Sequence, residues 1–372
     1  MDRLGIEIYM FNNIYKNKKV LITGNTGFKG SWLTAWLIKL GAEVFGVSKG
    51  VPSNPSMFNE IDLENKITHF EKNILDLDAI KLIINQVKPD YVFHLAAQAL
   101  VSVSYSDPIE TISTNVIGTM NVLEGLRHSN HNCVGIIITS DKCYDNVEWE
   151  WGYKETDSMG GKDIYSGSKG AAELVFKSYF HSYFKKDSNV KLASSRAGNV
   201  IGGGDWAKDR LIPDCIRSWN NNEIVEIRSP KATRPWQHVL EPLSGYLSLG
   251  QLLSDSGKLN GESFNFGPIS SYSHNVEEIL KDLSRPFFDD ASKAYKVTDD
   301  VKFHEAGLLK LNCDKALYYL KWLPTLDYKS LIDYTGTWYS KFYNNNEMYE
   351  FTLSQIQNYE IMATNKKIDW TK

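Results

Sequence analysis

Residues Lys19–Gly30 read KVLITGNTGFKG, and this stretch decides the fold. KVLIT is apolar and rich in β-branched residues, the composition of a short strand buried on both faces. Gly24, Gly27 and Gly30 follow at once, spaced G-x-x-G-x-x-G, and the helical run Ser31–Leu40 comes next. The first glycine permits a tight turn, the second lets backbone approach a pyrophosphate, and the third lets the helix pack closely on the sheet. The helix N-terminus attracts the anion. Thr26 and Phe28 lie inside this turn and join the three glycines as candidate cofactor-binding residues.

Outward from the turn, strand and helix periods alternate. Glu43–Val47 reads as a second strand and the residues around Ile67–Phe70 as a third. Asp78–Val87 is an amphipathic helix that stops at Lys88-Pro89, because proline cannot continue it. Tyr91–Leu95 and Gly135–Thr139 are buried-strand patterns, with the helix Asn115–Arg127 between them. This rhythm predicts right-handed βαβ units and a Rossmann-type α/β fold, a doubly wound parallel sheet, over residues 1–198 and mainly 18–198. Beyond Gly198 the texture changes. Gly202-Gly203-Gly204, prolines and tryptophans interrupt it, and helical patterns return at Leu211–Asn220, Pro242–Leu253, Asn275–Leu283 and Leu331–Tyr343. Residues 199–343 are expected to form a smaller mixed lobe over a substrate, with some chain crossing back to the sheet. Residues 344–372 read as a tail with one short helix, Thr352–Ala363, that then frays.

The 372 residues are 42% hydrophobic and 23% charged, the balance of a folded globular chain. A net charge of −4 with scattered basic residues leaves no footprint for nucleic acid or an anionic membrane. No apolar run approaches the ~20 residues of a membrane helix. The first twenty residues lack the apolar core of a signal peptide. Cys133, Cys143, Cys215 and Cys313 stand far apart, as reduced thiols do, so a cytoplasmic location is expected. His128, His131 and Cys133 superficially suggest a metal cluster. With no second cluster they read as a solvated loop, and no metal is expected.

Tyr165-Ser-Gly-Ser-Lys169 opens a helix read over Tyr165–Phe184. The i, i+4 spacing puts phenol and ammonium on one face. A nearby ammonium favours phenolate, which can take a hydroxyl proton while the carbon beneath it gives hydride to a nicotinamide. Thr139-Ser140-Asp141-Lys142 comes directly after the strand Gly135–Ile138, at the carboxyl edge where open α/β sheets bind ligands. A hydroxyl, a carboxylate and an amine stand side by side there, although a loop merely capped by Ser and Asp has the same composition. The second strand ends in Val47-Ser48-Lys49, without the acidic residue that clasps an NAD ribose, so these residues leave NAD and NADP both open. His94, at an apolar strand end, reads as a satisfied core histidine.

Several stretches carry a family resemblance: TGNTGFKGSWL (23–33), FHLAAQ (93–98), NVIGTMNVLE (115–124), TSDKCYDN (139–146) and YSGSKGAAELV (165–175). RAGNVIGGGDWAKDRLIPD (196–214) and RPWQHVLEPLSGYL (234–247) extend it and are far more specific than the glycine turn. Together they resemble the extended short-chain dehydrogenase/reductases, in particular the NAD-dependent epimerase/dehydratase family and its CDP-glucose 4,6-dehydratase branch. The likeness spans roughly residues 18–270.

The resemblance implies a nucleotide-sugar substrate, CDP-glucose, and NAD as a regenerated cofactor. Tyr165 and Lys169 would oxidise C4 of the hexose, water would leave from C5 and C6, and hydride would return to C6. Ser140 matches the residue that hydrogen-bonds the C4 oxygen, and Asp141 the acid that protonates the departing C6 hydroxyl. Lys142 stands where dTDP-glucose relatives carry a glutamate base, and as a C5 base it needs its pKa brought down from ~10.4. Further cofactor contacts are implied for Asn73, Ile74, Leu95, Ala96, Ala97 and Asn115. Substrate contacts are implied for Gln98, Asn199, Asp205, Trp206, Arg210 and Arg234, with Asn199 and Arg234 on the diphosphate. Core packing explains Trp206 equally well. Two departures stand out. Asn73 replaces the aspartate that accepts from the adenine amine, and Ser102 replaces a basic residue near the site. The superfamily pattern also implies a homodimer through helices 115–127 and 165–184. An epimerase or reductase of the same fold is the alternative, against which the Ser140-Asp141-Lys142 run argues, as is a 4,6-dehydratase acting on another nucleotide sugar.

Overall fold

Strands β1 (Lys19–Thr23), β2 (Glu43–Ser48), β3 (Thr68–Glu71), β4 (Tyr91–His94), β5 (Cys133–Ile138), β6 (Val190–Ala197) and β7 (Ser263–Phe266) form a single parallel sheet. The computed structural model describes residues 9–186, 188–227, 229–269, 274–288, 290, 293–298, 308–344 and 347–372. Every residue of β4 and β5 is buried, as coverage on both faces requires, and this is why their sequences are nearly unbroken apolar runs. The strand order is β7-β6-β5-β4-β1-β2-β3, with Leu21 in register between Phe45 and Val92. The order reverses between β1 and β4, so the topological switch point lies where β1 runs into Gly24.

Helices α1 (Phe28–Lys39), α2 (Leu77–Val87), α3 (Gly118–Arg127) and α4 (Ile164–Tyr179) come from the first half of the chain. The second half contributes α5 (Leu211–Asn220), α6 (Leu240–Asp255), α7 (Tyr328–Tyr343) and α8 (Met348–Asn365). The α2 helix starts where the Asp76 carboxylate accepts from the Ala79 N–H and stops where Lys88 turns left-handed before Pro89. Its Ile80, Ile83, Ile84 and Val87 pack with α3 and α4 residues on one face of the sheet, while α1, α6, α7 and α8 build the core on the other. The α1 helix is covered nearly all round. The Trp32 indole N–H donates to the Gly203 carbonyl (2.9 Å) and that of Trp36 to Glu360 Oε1 (2.8 Å).

Two features differ from the periodicity-based reading, and a third, the return of the chain to the sheet, is expected by it without being placed. The β6 strand carries Ser194, Ser195 and Arg196 fully inside the protein, so its polar composition hides a central strand. The β7 strand returns to the sheet edge after α6. Two short helices, Val101–Ser106 and Pro108–Ile112, precede the Ser113–Ile117 turn that leads into α3. The fraying expected after residue 363 does not occur. The α8 helix runs 18 residues, and Trp370 beyond it stacks on Phe11 (4.9 Å) and Tyr359 (5.7 Å). The Asn12 N–H donates to the Lys372 carbonyl (3.0 Å). An apolar residue near a chain end stays ordered when the fold offers it a surface to bury against, and here the N-terminal segment supplies one. Among the described residues no helix is long and apolar enough to cross a membrane.

Candidate active site

Gly24 has φ +76°, and a Cβ on it would stand 2.7 Å from the Ala96 nitrogen. A Cβ on Gly30 would run into the Gly24 carbonyl. The turn is thus pressed between strand ends and helix, with Gly27 as the N-cap of α1. Thr26 closes it onto the end of β2: its Oγ1 donates to the Gly50 carbonyl (2.7 Å) and its N–H to Ser48 Oγ (3.4 Å). Leu95 and Ala96 leave β4 beside it, their N–H groups donating to the Thr23 carbonyl and Oγ1. Gly24, Thr26, Gly27, Phe28, Gly30, Leu95, Ala96 and Ala97 therefore gather at the switch point.

Other residues assigned to the cofactor and substrate have local duties. Asn115 Oδ1 accepts from the Gln98 N–H (2.8 Å), and its Nδ2 donates to the Gln98 carbonyl (3.0 Å) and Ser168 Oγ (2.8 Å). This ties the exit of β4 to α4. The Gln98 amide folds back onto Leu100 and Thr111. Asn73 Oδ1 accepts from the Leu75 N–H (3.0 Å), and Ile74 is buried against Gly118. Lys49, at the end of β2, pairs with Glu110 (2.5 Å).

The reactive groups meet at the carboxyl ends of β5 and β6. Asp163 caps α4, accepting from the Ser166 N–H (2.9 Å), and so holds Tyr165 in the first helical turn. Lys169 Nζ lies 5.8 Å from the Tyr165 ring centre. Ser140 lies beside the Tyr165 hydroxyl, close enough to act on its ionisation. Ser140 Oγ in turn donates to Asp141 Oδ1 (2.9 Å) and accepts from the Lys142 N–H (3.2 Å). The Asp141 carboxylate rests directly on Gly198, where a Cβ would collide with it. Tyr165, Lys169, Ser140 and Asp141 are thus brought together, with the half-buried Lys142 beside them.

Burial pushes the Tyr165 phenol up to about 12; the charge of Arg210 and the nearby Ser140 hydroxyl pull it down, while the charge of Asp141 raises it further. The strongest cationic influence on the phenol is therefore Arg210 and not, as the spacing suggested, Lys169. Burial and the charge of Lys29 lower Lys169 itself to about 8. Lys29 was not anticipated. It occupies the first turn of α1, faces Arg210, Asp141 and Asp205, and is lowered to about 8 by burial and then by Arg210. The available signal was a lysine between the second and third glycines of a phosphate-binding turn.

Asp205 pairs with Arg210 (2.8 Å) and lies close enough to Lys29 to act on its charge. Trp206 packs among Tyr339 (5.2 Å) and Phe342 (4.8 Å) of α7. Asn199 adopts a left-handed conformation, φ +47°, uncommon outside glycine. Ser102 Oγ donates to Asp209 Oδ2 (2.7 Å), in the same loop as Trp206. Asp141 Oδ2, Asn199 Nδ2 and Trp206 Nε1 are among the buried polar atoms that have no hydrogen-bond partner within the described residues. Arg234 lines a neighbouring shallow cleft with Trp236, Pro268 and Tyr328, in which neither Tyr165 nor Asp141 takes part. His94 bonds Thr23 and Thr119 inside the core, and His131 bonds the Pro89 carbonyl.

The family model of GDP-mannose 4,6 dehydratase matches residues 21–335, a span that takes in every one of these groups. The chain belongs to the GDP-mannose 4,6 dehydratase family. It is 44% identical over 356 residues to a CDP-glucose 4,6-dehydratase of Salmonella typhimurium, covering 95% of this chain and 99% of that one. A solved dTDP-glucose 4,6-dehydratase of Streptomyces venezuelae superposes with a TM-score of 0.75 at 20% identity, covering 87% of this chain and 97% of the other. UDP-glucose 4-epimerase of Thermotoga maritima gives 0.74 at 22% identity, covering 87% and 99%. These two structures share the fold.

Proposed function

We propose that this chain is an NAD-dependent hydro-lyase that converts CDP-D-glucose to CDP-4-keto-6-deoxy-D-glucose and water. The observation that carries this reading is the convergence of Tyr165, Ser140 and Asp141. Ser140 lies beside the phenol and is hydrogen-bonded to Asp141, which brings a group for C4 oxidation next to a buried carboxylate for elimination. Simple epimerisation has no use for the second group.

The glycine turn fits a dinucleotide: Gly24 and Gly30 have no room for a side chain, and α1 opens its N-terminus onto the turn. Gly24–Gly30 and Leu95–Ala97 would hold NAD, which when bound takes up the C4 hydride and returns it to C6. Glu110 engages Lys49 and would repel a 2′-phosphate, which favours NAD over NADP. Tyr165 takes the C4 hydroxyl proton while Ser140 holds the C4 oxygen and Lys169 and Arg210 supply positive charge. The resulting ketone acidifies C5–H, whose proton goes to the Lys142 amine and returns from it to C5 as hydride arrives at C6. The proton that Tyr165 took from the C4 hydroxyl passes by way of Ser140 to Asp141. Asp141 Oδ2, with no internal partner, hands it to the leaving C6 hydroxyl, so that water departs and the phenolate is restored. Asn199, Asp205, Trp206, Arg210 and Arg234 are assigned to the sugar nucleotide, with residues 199–343 closing over it and 240–266 of that span returning to the sheet.

The enzyme works as a homodimer through helices 115–127 and 165–184, whose Ile117, Leu174 and Tyr183 are exposed apolar residues in need of cover. Its cysteines are unpaired, which supports a cytoplasmic setting. The test is incubation with CDP-glucose, dTDP-glucose, UDP-glucose and GDP-mannose, read by mass spectrometry. Loss of one water from CDP-glucose is expected. A product of unchanged mass would mean epimerisation, and no reaction with any of the four would sink the reading.

A further inference from the structure

A buried ion pair behind the catalytic loop takes no part in the steps above. Glu173 follows Tyr165 and Lys169 on α4 at i, i+4 and i+8, so the three side chains lie along one helical stripe. Arg196 of β6 donates through Nη2 to Glu173 Oε2 at 2.8 Å, and each side chain is only 1% exposed. The other carboxylate oxygen accepts from Thr139 Oγ1 at 2.5 Å, and Thr139 is the residue that enters the Ser140–Lys142 loop. Arg196 Nη1 donates to the Tyr144 hydroxyl at 2.8 Å, and Tyr144 is reached just after the loop. Tyr144 in turn donates to Asn265 Oδ1 of β7 at 2.7 Å. One ion pair thus grips the loop at both ends, and its anionic half sits on the helix that carries Tyr165.

Burial pushes the Glu173 carboxyl up, but the charge of Arg196 and hydrogen bonds from Arg196, Thr139 and Ser194 outweigh it and hold the group ionised. Fully desolvated ion pairs are poor devices for stability, since well-packed apolar residues often do as well. What this pair provides is placement.

We propose that Glu173 and Arg196 are positioning residues that set the Ser140-Asp141-Lys142 loop against the Tyr165–Lys169 helix, and so couple elimination to oxidation. The proposal rests on the dehydratase reading. Oxidation at C4 draws on Tyr165 and Lys169, which α4 carries itself, and on Arg210, with Ser140 the one loop residue that assists. Elimination from C5 and C6 draws on Asp141 and Lys142, whose reach depends on how the loop lies. Releasing both ends of the loop therefore slows elimination more than oxidation.

The test is the double variant Thr139→Val with Tyr144→Phe, which removes the two hydrogen bonds between loop and ion pair, together with that of Tyr144 to Asn265, and leaves Glu173 paired with Arg196 and Ser194. With CDP-glucose, kcat is expected to fall about a hundredfold, the usual effect of a catalytic group misplaced by about 1 Å, with KM little changed. Reduced nicotinamide should build up in single turnovers, seen by its near-ultraviolet absorbance, because oxidation outruns elimination. Restoring one donor with Thr139→Ser in the Tyr144→Phe background should recover most of the turnover and abolish the build-up. If the double variant does not fold, Thr139→Val alone serves, with a smaller effect of the same kind. Near-normal turnover, or equal slowing of both steps in proportion to a fall in Tm, would overturn the proposal. Wild-type turnover, measured first, tests the dehydratase reading separately.

Discussion

At the scale of single residues, Tyr165 is the centre of the proposed chemistry, and burial together with Asp141 keeps its phenol protonated near neutral pH. Ionisation must come from positive charge brought close to the oxygen, and Arg210 already acts in that sense. Tyr165→Phe should nearly abolish product formation with an unchanged circular dichroism spectrum; substantial turnover by this variant would falsify the phenolate role. Lys29 offers a check on the electrostatics. Its amine is lowered from 10.5 to about 8, so between those values the unfolded chain holds a proton that the folded one has released. Stability contributed by this site must therefore rise as pH rises from about 8 to 10.5. Denaturant unfolding of wild type and Lys29→Met across that window should show the difference between them shifting in favour of wild type. A constant difference would mean that Lys29 is not held in a desolvated cationic cluster.

At the scale of elements, the site is a meeting of strand exits. The end of β1 supplies the glycine turn, the end of β5 the Ser140-Asp141-Lys142 loop, and the end of β6 the small surface of Gly198 on which the Asp141 carboxylate rests. The β5 and β6 exits can lie this close because Gly198 has no side chain. Gly198→Ala should displace Asp141 and lower kcat about a hundredfold, the usual consequence of moving a catalytic group by about 1 Å. The far-ultraviolet spectrum should stay native. Unaltered kcat would show that Asp141 is not used where it stands.

At the scale of the whole molecule, the two chain ends close on each other. Phe11, Trp36, Tyr359 and Trp370 form one aromatic cluster, and Trp370 is 3% exposed. Trp370→Ala should cost about 3 kcal/mol, as removal of a buried tryptophan does, and lower the urea midpoint. A change within error would mean that the C-terminal turn contributes nothing to the folded state. Assembly can be checked on the exposed face of α4: Leu174→Glu places a charge among the exposed apolar residues and should turn the proposed dimer into a monomer in analytical ultracentrifugation. A wild-type protein that is already monomeric would remove the dimer from the proposal.

The first five strands, the glycine turn, α1 to α4 and the Tyr165–Lys169 spacing are all readable from residues that lie within a few positions of one another. Strand and helix periods, and an i, i+4 pair, are local properties. The rest depends on partners far away in the chain. The β6 strand looks polar until Glu173 and Tyr144 pair with Arg196, and β7 joins the sheet only because α6 carries the chain back. Lys29 enters the site because Arg210, Asp141 and Asp205 converge on it, whereas Gln98 turns its amide onto Leu100 and Thr111. Trp370 is held because Phe11 and Tyr359 flank it. Motif spacing specifies which groups a short segment can present; packing across the sheet decides which of them meet.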